Sequence, residues 1–312
     1  METGLIIKTT GSWHLVLDSE KNTVSCKIKG KLRISGIRST NPVAVGDRVE
    51  FYRLPNESTG IITDILDRKN YIIRKSSNLS KETHVLAANI DQAFLMISLV
   101  SPRTTLRFID RFLATSEAYQ IPAIIIFNKI DLHNEKLTEE MVQLSKMYNS
   151  IGYDSVRTSA IQQTGIDELT EKMKDKISLV AGNSGVGKSS IINAIDPSLN
   201  IKTRAISGIH ETGRHTTTFS EMFELTTGGY IIDTPGIKGF GVIDFDKEEI
   251  FHFFPDIFAH SGKCQYHNCV HINEPNCAVK LAVEKNEISF SRYDSYLSLY
   301  YDDPGKYRVS KY

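Results

Sequence analysis

The pattern of hydrophobic and polar positions divides the chain into three parts. In the first part, short segments such as Trp13–Leu17, Thr23–Ile28 and Arg48–Tyr52 are rich in β-forming residues and are separated by turn signals. About five such strands without a convincing helix predict a small β-barrel, and the OB-fold is the best match. We assign residues 1–75 to this barrel and the polar stretch 76–82 to a linker.

Longer apolar runs follow the linker. The runs Ala93–Val100 and Pro122–Phe127 are almost continuously apolar, which is typical of strands covered on both faces of a parallel sheet. Between them, apolar residues recur at helical spacing over 106–113. This alternation of strands and helices predicts a doubly wound α/β domain over residues 83–244.

The composition fits a protein with more than one domain. The 312 residues suffice for two or three domains, and 40% hydrophobic and 24% charged residues are ordinary for a soluble globular protein. No apolar run approaches the ~20 residues of a bilayer-spanning helix. The start, Met1–Gly4, lacks the pattern of a signal peptide. We therefore expect a cytoplasmic protein without a membrane partner.

Positive charge is concentrated in one short stretch. The formal net charge is zero, so the whole chain gives no evidence for a nucleic-acid partner. Between Val24 and Arg38, however, basic residues occur with no acidic residue among them. Such a stretch is either a solvated strand face or a patch for RNA phosphates, and the sequence leaves both readings open. The candidate RNA contacts are Lys27, Lys29, Lys31, Arg33 and Arg38.

A glycine-rich loop in the middle of the chain carries the clearest chemical motif. It follows the apolar run Ile177–Ala181 and precedes the helical segment Ser190–Ile195, which is the context that a G-x-x-x-x-G-K-S phosphate cradle requires. Lys188 is expected to reach the β- and γ-phosphates, and Ser189 to bind Mg²⁺. The predicted phosphate-binding residues are Gly182, Asn183, Ser184, Gly185, Val186, Gly187, Lys188, Ser189 and Ser190.

A second motif predicts the base of the nucleotide. Asn128-Lys129-Ile130-Asp131 directly follows a predicted strand, where residues line the ligand crevice of an α/β sheet. The Asp131 carboxylate can accept two hydrogen bonds from guanine, whereas adenine offers no such pair of donors. Asn128 is expected to tie neighbouring loops to the base, and the stem of Lys129 to lie along it. Ser159 and Ala160 resemble the accessory base loop of GTPases.

Two further segments predict contacts with Mg²⁺ and the γ-phosphate. In Asp233-Thr234-Pro235-Gly236, Asp233 would hold the Mg²⁺ shell and the Gly236 N–H would sense the γ-phosphate. One threonine of Thr216–Thr218 would complete the Mg²⁺ coordination, and the sequence alone does not choose among the three. In a typical GTPase the phosphate loop comes first and N-K-x-D comes late. Here the order is reversed, which predicts a circularly permuted GTPase.

The last part of the chain, 245–312, carries a metal signature and two predicted helices, 278–285 and 290–301. Three thiolates and one imidazole in a compact span are the ligands of a closed tetrahedral zinc site, although unpaired cysteines with an incidental histidine remain the alternative. His267 is left out because the preferred spacing already supplies four ligands. The predicted zinc ligands are Cys264, Cys269, His271 and Cys277.

The small barrel, the permuted GTPase and the C-x4-C-x-H-x5-C domain together resemble the RsgA (YjeQ) family of bacterial GTPases, which depend on the small ribosomal subunit. The resemblance covers essentially the whole chain. It implies GTP hydrolysis stimulated by that subunit, a role in its late maturation, and a monomer whose barrel and zinc domain contact ribosomal RNA. It also implies that Thr217 is the Mg²⁺ ligand and that His215 takes part in hydrolysis.

Two other functions remain open from the residues alone. The chain could be a GTP-gated switch acting on a protein or metal-delivery partner, or a nucleic-acid-binding protein with a structural nucleotide site. The nucleic-acid-binding reading is disfavoured because the residues expected to bind nucleotide and Mg²⁺ are all present: Lys188, Ser189, Asp233 and Asp131. Ile237 replaces the glutamine that many GTPases use to orient water, so His215 or a partner group must compensate.

Overall fold

The N-terminal part of the protein forms a closed β-barrel. The computed structural model describes residues 1–29, 42–75, 83–201, 221–233 and 246–302. Within these ranges, the barrel strands follow the order β1–β2–β3–β5–β4, and β4 pairs back with β1. β3 and β5 run parallel and the other neighbours antiparallel, so the predicted OB-fold is confirmed. The strands are β1 (Glu2–Thr10), β2 (Trp13–Leu17), β3 (Thr23–Ile28), β4 (Arg48–Arg53) and β5 (Thr59–Ile65).

Alternation of side chains explains why these strands close. Every second residue of β2 and β3 is buried, as expected when one face of a strand lines a core and the other meets water. The barrel core consists of small and medium apolar side chains around one phenylalanine, which suits the narrow interior of a five-stranded barrel. Its fully buried members include Ile6, Val16, Cys26, Val49, Phe51 and Ile62.

A two-stranded antiparallel sheet lies between the barrel and the rest of the chain. It consists of β6 (Tyr71–Lys75) and β7 (Thr83–Ala88), and the Ala88 N–H donates to the carbonyl of Val45. Just before it, Arg68 forms a bidentate ion pair with Asp47, with both N···O distances 2.6 Å. The predicted linker 76–82 lies outside the described residues, and the predicted domain boundaries stay predictions.

The predicted α/β domain is built on a mainly parallel sheet. Among the described residues its order is β10–β9–β8–β11–β13–β12, with only β12 antiparallel to its neighbour. The core lies on both faces of the sheet, which explains why the central strand β8 is buried along its whole length. The strands are β8 (Gln92–Ile97), β9 (Ala123–Asn128), β10 (Asp154–Thr158), β11 (Ile177–Gly182), β12 (Glu221–Glu224) and β13 (Tyr230–Asp233).

The helices of this domain have recognisable sequence signals at their ends. The Thr105 side chain accepts a hydrogen bond from the Phe108 N–H and caps the first helix, and Asn134 caps the second in the same way. The buried face of the first helix includes Ile109, Phe112 and Leu113, as the periodicity predicts. The helices are α1 (Leu106–Ala118), α2 (Glu135–Ser150), α3 (Ile166–Met173) and α4 (Lys188–Ile195), with 3₁₀ turns at Ile130–Leu132 and Pro197–Leu199.

The C-terminal part is helical, and its core includes residues of the cysteine cluster. It contains a 3₁₀ segment (Lys247–Phe253), α5 (Pro255–Ser261), α6 (Ala278–Glu284) and α7 (Phe290–Tyr300). The last two agree with the predicted helices to within one residue. α7 packs against α1 of the α/β domain, and Arg292 of α7 is completely buried at this contact. None of the helices in the described ranges is long and apolar enough to span a membrane.

Candidate functional site

The glycine-rich loop connects β11 to α4, as the motif predicts. Gly182 has φ +147°, and a side chain there would come 2.4 Å from the Met96 carbonyl oxygen. Gly187 has φ +104°, and a Cβ there would meet the Asn128 side-chain nitrogen at 2.4 Å. Both positions therefore require glycine, because the backbone turns sharply and neighbouring strands approach closely. The loop leads directly into α4, and the N–H groups in the first turn of a helix favour a bound anion.

Lys188 lies across the loop. Its Nζ donates to the carbonyl oxygens of Gly182 at 2.7 Å and Asn183 at 3.0 Å, and its side chain is nearly buried. Ser189 beside it is also buried at the first turn of α4, whereas Ser184 and Ser190 are exposed. A cation held at the glycine-rich loop in this way can neutralise charge on a bound phosphate.

Asn128 ties three loops together at the end of β9. Its Nδ2 donates to the Val186 carbonyl of the glycine-rich loop at 2.8 Å. Its Oδ1 accepts from the Thr158 hydroxyl at 3.0 Å, and both side chains are buried. Thr158 is a site residue that the sequence prediction omitted, although it belongs to the same T-S-A segment as Ser159 and Ala160.

Lys129 links the glycine-rich loop to a further loop that the sequence did not single out. It adopts a left-handed backbone conformation, with φ 64°. Its Nζ donates to the carbonyls of Gly185 at 2.8 Å and Ser101 at 2.7 Å. Ser101 belongs to the loop between β8 and α1. That loop follows a parallel strand at the carboxyl edge of the sheet, which was the only signal that could have identified it.

The Asp131 carboxylate is held by the neighbouring T-S-A loop. The Ser159 hydroxyl donates to Asp131 Oδ1 at 2.6 Å and accepts from the Gln162 N–H at 3.1 Å. Ser159 is buried, whereas Asp131 and Ala160 are partly exposed and so can reach a ligand. The two predicted base-binding loops therefore lie side by side, with the Asp131 carboxylate oriented by a hydroxyl donor.

Asp233 ends β13 at the same edge of the sheet as the glycine-rich loop. β13 runs parallel to β11, and Ile232 pairs with Leu179 near the start of that loop. The predicted residues Thr217, His215 and Gly236 lie outside the described residues, as do Lys31, Arg33 and Arg38. Of the predicted RNA contacts, Lys27 is exposed on β3 with its Nζ 4.5 Å from the centre of the Trp13 ring, and Lys29 is also exposed.

The cysteine and histidine side chains of the C-terminal part converge on one point. Their ligand atoms all lie within 4.8 Å of one another, and His271 Nδ1 lies 3.3–3.5 Å from the three sulfurs. A tetrahedral site with metal–sulfur bonds of about 2.3 Å and a metal–nitrogen bond of about 2.0 Å requires separations of roughly 3.5–3.8 Å. This group can therefore hold a metal ion, and its members are Cys264, Cys269, His271 and Cys277.

The cysteines of the ligand loop are available to a metal ion, and hydrogen bonds hold the loop in shape. All the cysteines are unbridged, and burial raises the pKa of Cys269 to about 12, so the thiolate is stable there only beside a cation. The Glu274 carboxylate accepts the N–H groups of Val270 and Ile272, and the Tyr293 hydroxyl donates to the His271 carbonyl at 2.6 Å. The Glu274 bonds hold the ligand loop in shape, and the Tyr293 bond ties the loop to α7.

Comparison with known proteins identifies the family. The protein-family model described as "RsgA GTPase" matches residues 65–243 of the chain. The family model described as "RsgA N-terminal domain" matches residues 3–62. The chain belongs to the RsgA GTPase family. A member from Phocaeicola vulgatus, named small ribosomal subunit biogenesis GTPase RsgA, is 54% identical over 308 residues, which cover 98% of this chain and 99% of that one. Another from Flavobacterium psychrophilum is 49% identical over 99% of this chain and 96% of that one.

Solved structures of RsgA relatives share the whole architecture. YjeQ from Thermotoga maritima matches with a TM-score of 0.79 and 34% identity, covering 96% of this chain and 97% of that one. YloQ, described as a circularly permuted GTPase, matches with a TM-score of 0.74 and 34% identity over 100% of this chain and 97% of that one. The predicted fold of an OB-type barrel, a permuted GTPase and a C-terminal metal-binding domain is therefore confirmed.

Proposed function

We propose that this RsgA-family protein is a GTP phosphohydrolase that binds the small ribosomal subunit and acts in its late maturation. One observation carries the proposal. In this chain of the RsgA family, Asn128 and Lys129 of the predicted guanine-binding motif donate hydrogen bonds to the glycine-rich phosphate loop at one edge of the sheet. The names of its relatives, small ribosomal subunit biogenesis GTPases, support the choice of substrate and partner.

Each proposed site residue has a role in binding GTP. Asp131, oriented by Ser159, accepts the two N–H donors of guanine, while Lys129 lies along the base and Ala160 offers a backbone N–H. The backbone of the glycine-rich loop and Lys188 bind the β- and γ-phosphates. Mg²⁺ would neutralise charge on those phosphates, held by Ser189, Asp233 and Thr217. The N–H of Gly236 reports the γ-phosphate, and His215 or a group from the subunit orients the attacking water.

The decisive experiment measures GTP hydrolysis with purified ribosomal subunits. Small subunits should raise the rate about tenfold or more, because Ile237 cannot position water and a partner must complete the site. Large subunits are the control and should leave the rate unchanged. A rate that responds to neither subunit would contradict the proposal. It would favour the alternative, a GTP-gated switch acting on a protein or metal-delivery partner.

We further propose that the metal is a single structural Zn²⁺. Three thiolates and one imidazole leave no open coordination position, so the ion would hold the C-terminal fold rather than perform chemistry. Cys269→Ala should remove the metal and unfold the ligand loop, because metal binding supplies much of the folding free energy of such small units. Elemental analysis should find about one zinc per chain in the native protein.

The matched control for this substitution is Cys26→Ala. Cys26 is also completely buried, but it lies in the barrel core far from the metal ligands in the chain. This variant should retain zinc in full, even if the barrel loses some stability. Zinc retained in Cys269→Ala, or an iron content matching the protein concentration, would overturn the assignment.

The proposed partner is ribosomal RNA of the small subunit. Lys27 and Lys29 lie exposed on the barrel beside the half-exposed Trp13, so the surface combines positive charge with an aromatic ring. Lys31, Arg33 and Arg38 belong to the same proposed contact by their place in the sequence. The protein would act as a monomer in the cytoplasm.

A further inference from the structure

One row of paired residues crosses from the barrel to the nucleotide site. Lys8 of β1 pairs with Glu221 of β12, and Glu221 pairs on its other side with Asp233 of β13. Neighbouring strands lie about 4.8 Å apart, so the Lys8 backbone is only about 10 Å from that of Asp233. The barrel therefore reaches to within one strand of a proposed Mg²⁺ ligand.

The path of β1 brings Lys8 to this position. Residues 2–5 of β1 pair with β4 inside the barrel, whereas Lys8 pairs with β12 of the α/β sheet. A β-bulge between Ile6 and Lys8 separates the two pairings. Bulges of this kind bend a strand and redirect its side chains, so β1 can leave one sheet and extend the other.

An ion pair fixes the contact between the two strands. Lys8 Nζ lies 2.7 Å from Glu221 Oε1, and both side chains are partly buried. Among the described residues, Lys8 and Glu221 are also the backbone pair that joins β1 to β12, so the ion pair lies at this contact. Because cross-strand pairs of opposite charge stabilise the strand pairing at which they lie, this side-chain pair helps to set how β1 is positioned on β12.

Glu221 adjoins both segments that are proposed to meet Mg²⁺. In the sequence, only Phe219 and Ser220 separate it from the Thr216–Thr218 triplet. In the sheet it lies opposite Asp233, the first residue of the D-T-P-G motif. A displacement of β12 would therefore move the ends of both segments together.

We propose that Lys8 and Glu221 are positioning residues for GTP hydrolysis. Through this pair the barrel sets the position of β12, and β12 sets the ends of the two Mg²⁺-contacting segments. The inference rests on the proposed GTPase function and deepens it. It gives the barrel an effect on turnover, and it offers a route by which a partner bound to the barrel alters the rate.

The chain contains a natural control for this proposal. Lys21 and Glu224 form a second ion pair between the barrel and β12, with Lys21 Nζ 2.6 Å from Glu224 Oε1. Glu224 lies opposite Tyr230 at the other end of β12, about 10 Å along the strand from Glu221. This pair also joins the barrel to β12, but it does not lie next to Asp233.

The test compares charge reversals at the two pairs, with kcat and KM for GTP measured for the full chain alone and with small subunits. Lys8→Glu should lower kcat about fivefold or more in both settings and change KM less than about twofold. Lys8→Arg should retain activity, and the double variant Lys8→Glu with Glu221→Lys should recover most of it. Lys21→Glu should leave kcat within about twofold of the native value.

Thermal unfolding of each variant separates positioning from loss of the fold. Equal losses of kcat in Lys8→Glu and Lys21→Glu, or no loss in either, would overturn the inference. So would a double variant that stays as slow as Lys8→Glu. Failure of the proposed function would be distinct, because the native protein would then not respond to small subunits. The order of kcat among the variants without subunits would still decide the inference.

Discussion

Replacing Asp131 with asparagine should abolish the preference for guanine nucleotides. The variant keeps the shape of the side chain but replaces an acceptor oxygen with an amide donor, which would face the donor groups of guanine. Losing one hydrogen bond and the charge assistance of the other, in a shaped site, should weaken GDP binding about 10²–10⁴-fold. Affinities for GDP and ADP, measured by calorimetry, should become nearly equal in the variant.

Two controls distinguish lost recognition from a collapsed site. Xanthine carries an oxygen where guanine carries its exocyclic amine, so the new amide should bind xanthosine diphosphate better than the native carboxylate does. Ser159→Ala removes only the hydroxyl that donates to Asp131 at 2.6 Å, so it should weaken GDP binding less, by about tenfold. If native protein bound ADP and GDP equally, the guanine assignment would be wrong.

The local parts of the fold and site are predictable because short-range rules determine them. The glycine-rich loop needs a strand before it, a helix after it and glycines at left-handed positions, and all of these appear in the sequence. The ligand set Cys264, Cys269, His271 and Cys277 is equally local, within 14 residues. Fixed spacing over a short span leaves few alternative arrangements.

The contacts that join distant segments could not be predicted. The carbonyl of Ser101 accepts from Lys129, but a backbone carbonyl has no sequence signal. Lys8 and Glu221 are 213 positions apart and look like ordinary surface charges in the sequence. Arg292 would be placed at the surface by its residue type, since arginine is seldom fully buried without partners. Each of these contacts depends on how separate helices and strands pack together, and that packing cannot be read from a single sequence.

Arg292→Met should destabilise the contact between the C-terminal helices and the α/β domain by about 3–5 kcal/mol. Arg292 is completely buried and donates to Asp256 through Nε and Nη2, at 3.1 and 2.8 Å, and to Asp110 of α1 through Nη1 at 2.8 Å. Asp110 also accepts from the Tyr148 hydroxyl at 2.9 Å. Removing the cation leaves two buried carboxylates without a counter-charge, which is the main cost.

The matched control joins the same two helices at the surface. Arg107 of α1 pairs with Asp294 of α7 at 3.0 Å, but its side chain is 63% exposed. Arg107→Met should therefore lower the free energy of unfolding by no more than about 1 kcal/mol. Urea unfolding of both variants at neutral pH measures the difference. Similar values for the two would mean that the buried cluster contributes no more than a surface pair.

The pH dependence of Arg292→Met supplies a second, independent readout. Burial already raises the pKa of Asp110 in the native protein, although Arg292 beside it acts in the opposite direction. Without Arg292 that pKa rises further above its unfolded value, so the folded variant binds more protons than the unfolded chain. The variant should therefore regain stability relative to the native protein as the pH falls from 7 towards about 5. A stability difference that is constant over this range would show that lost packing against Phe254, 4.7 Å from the guanidinium, is responsible instead of uncompensated charge.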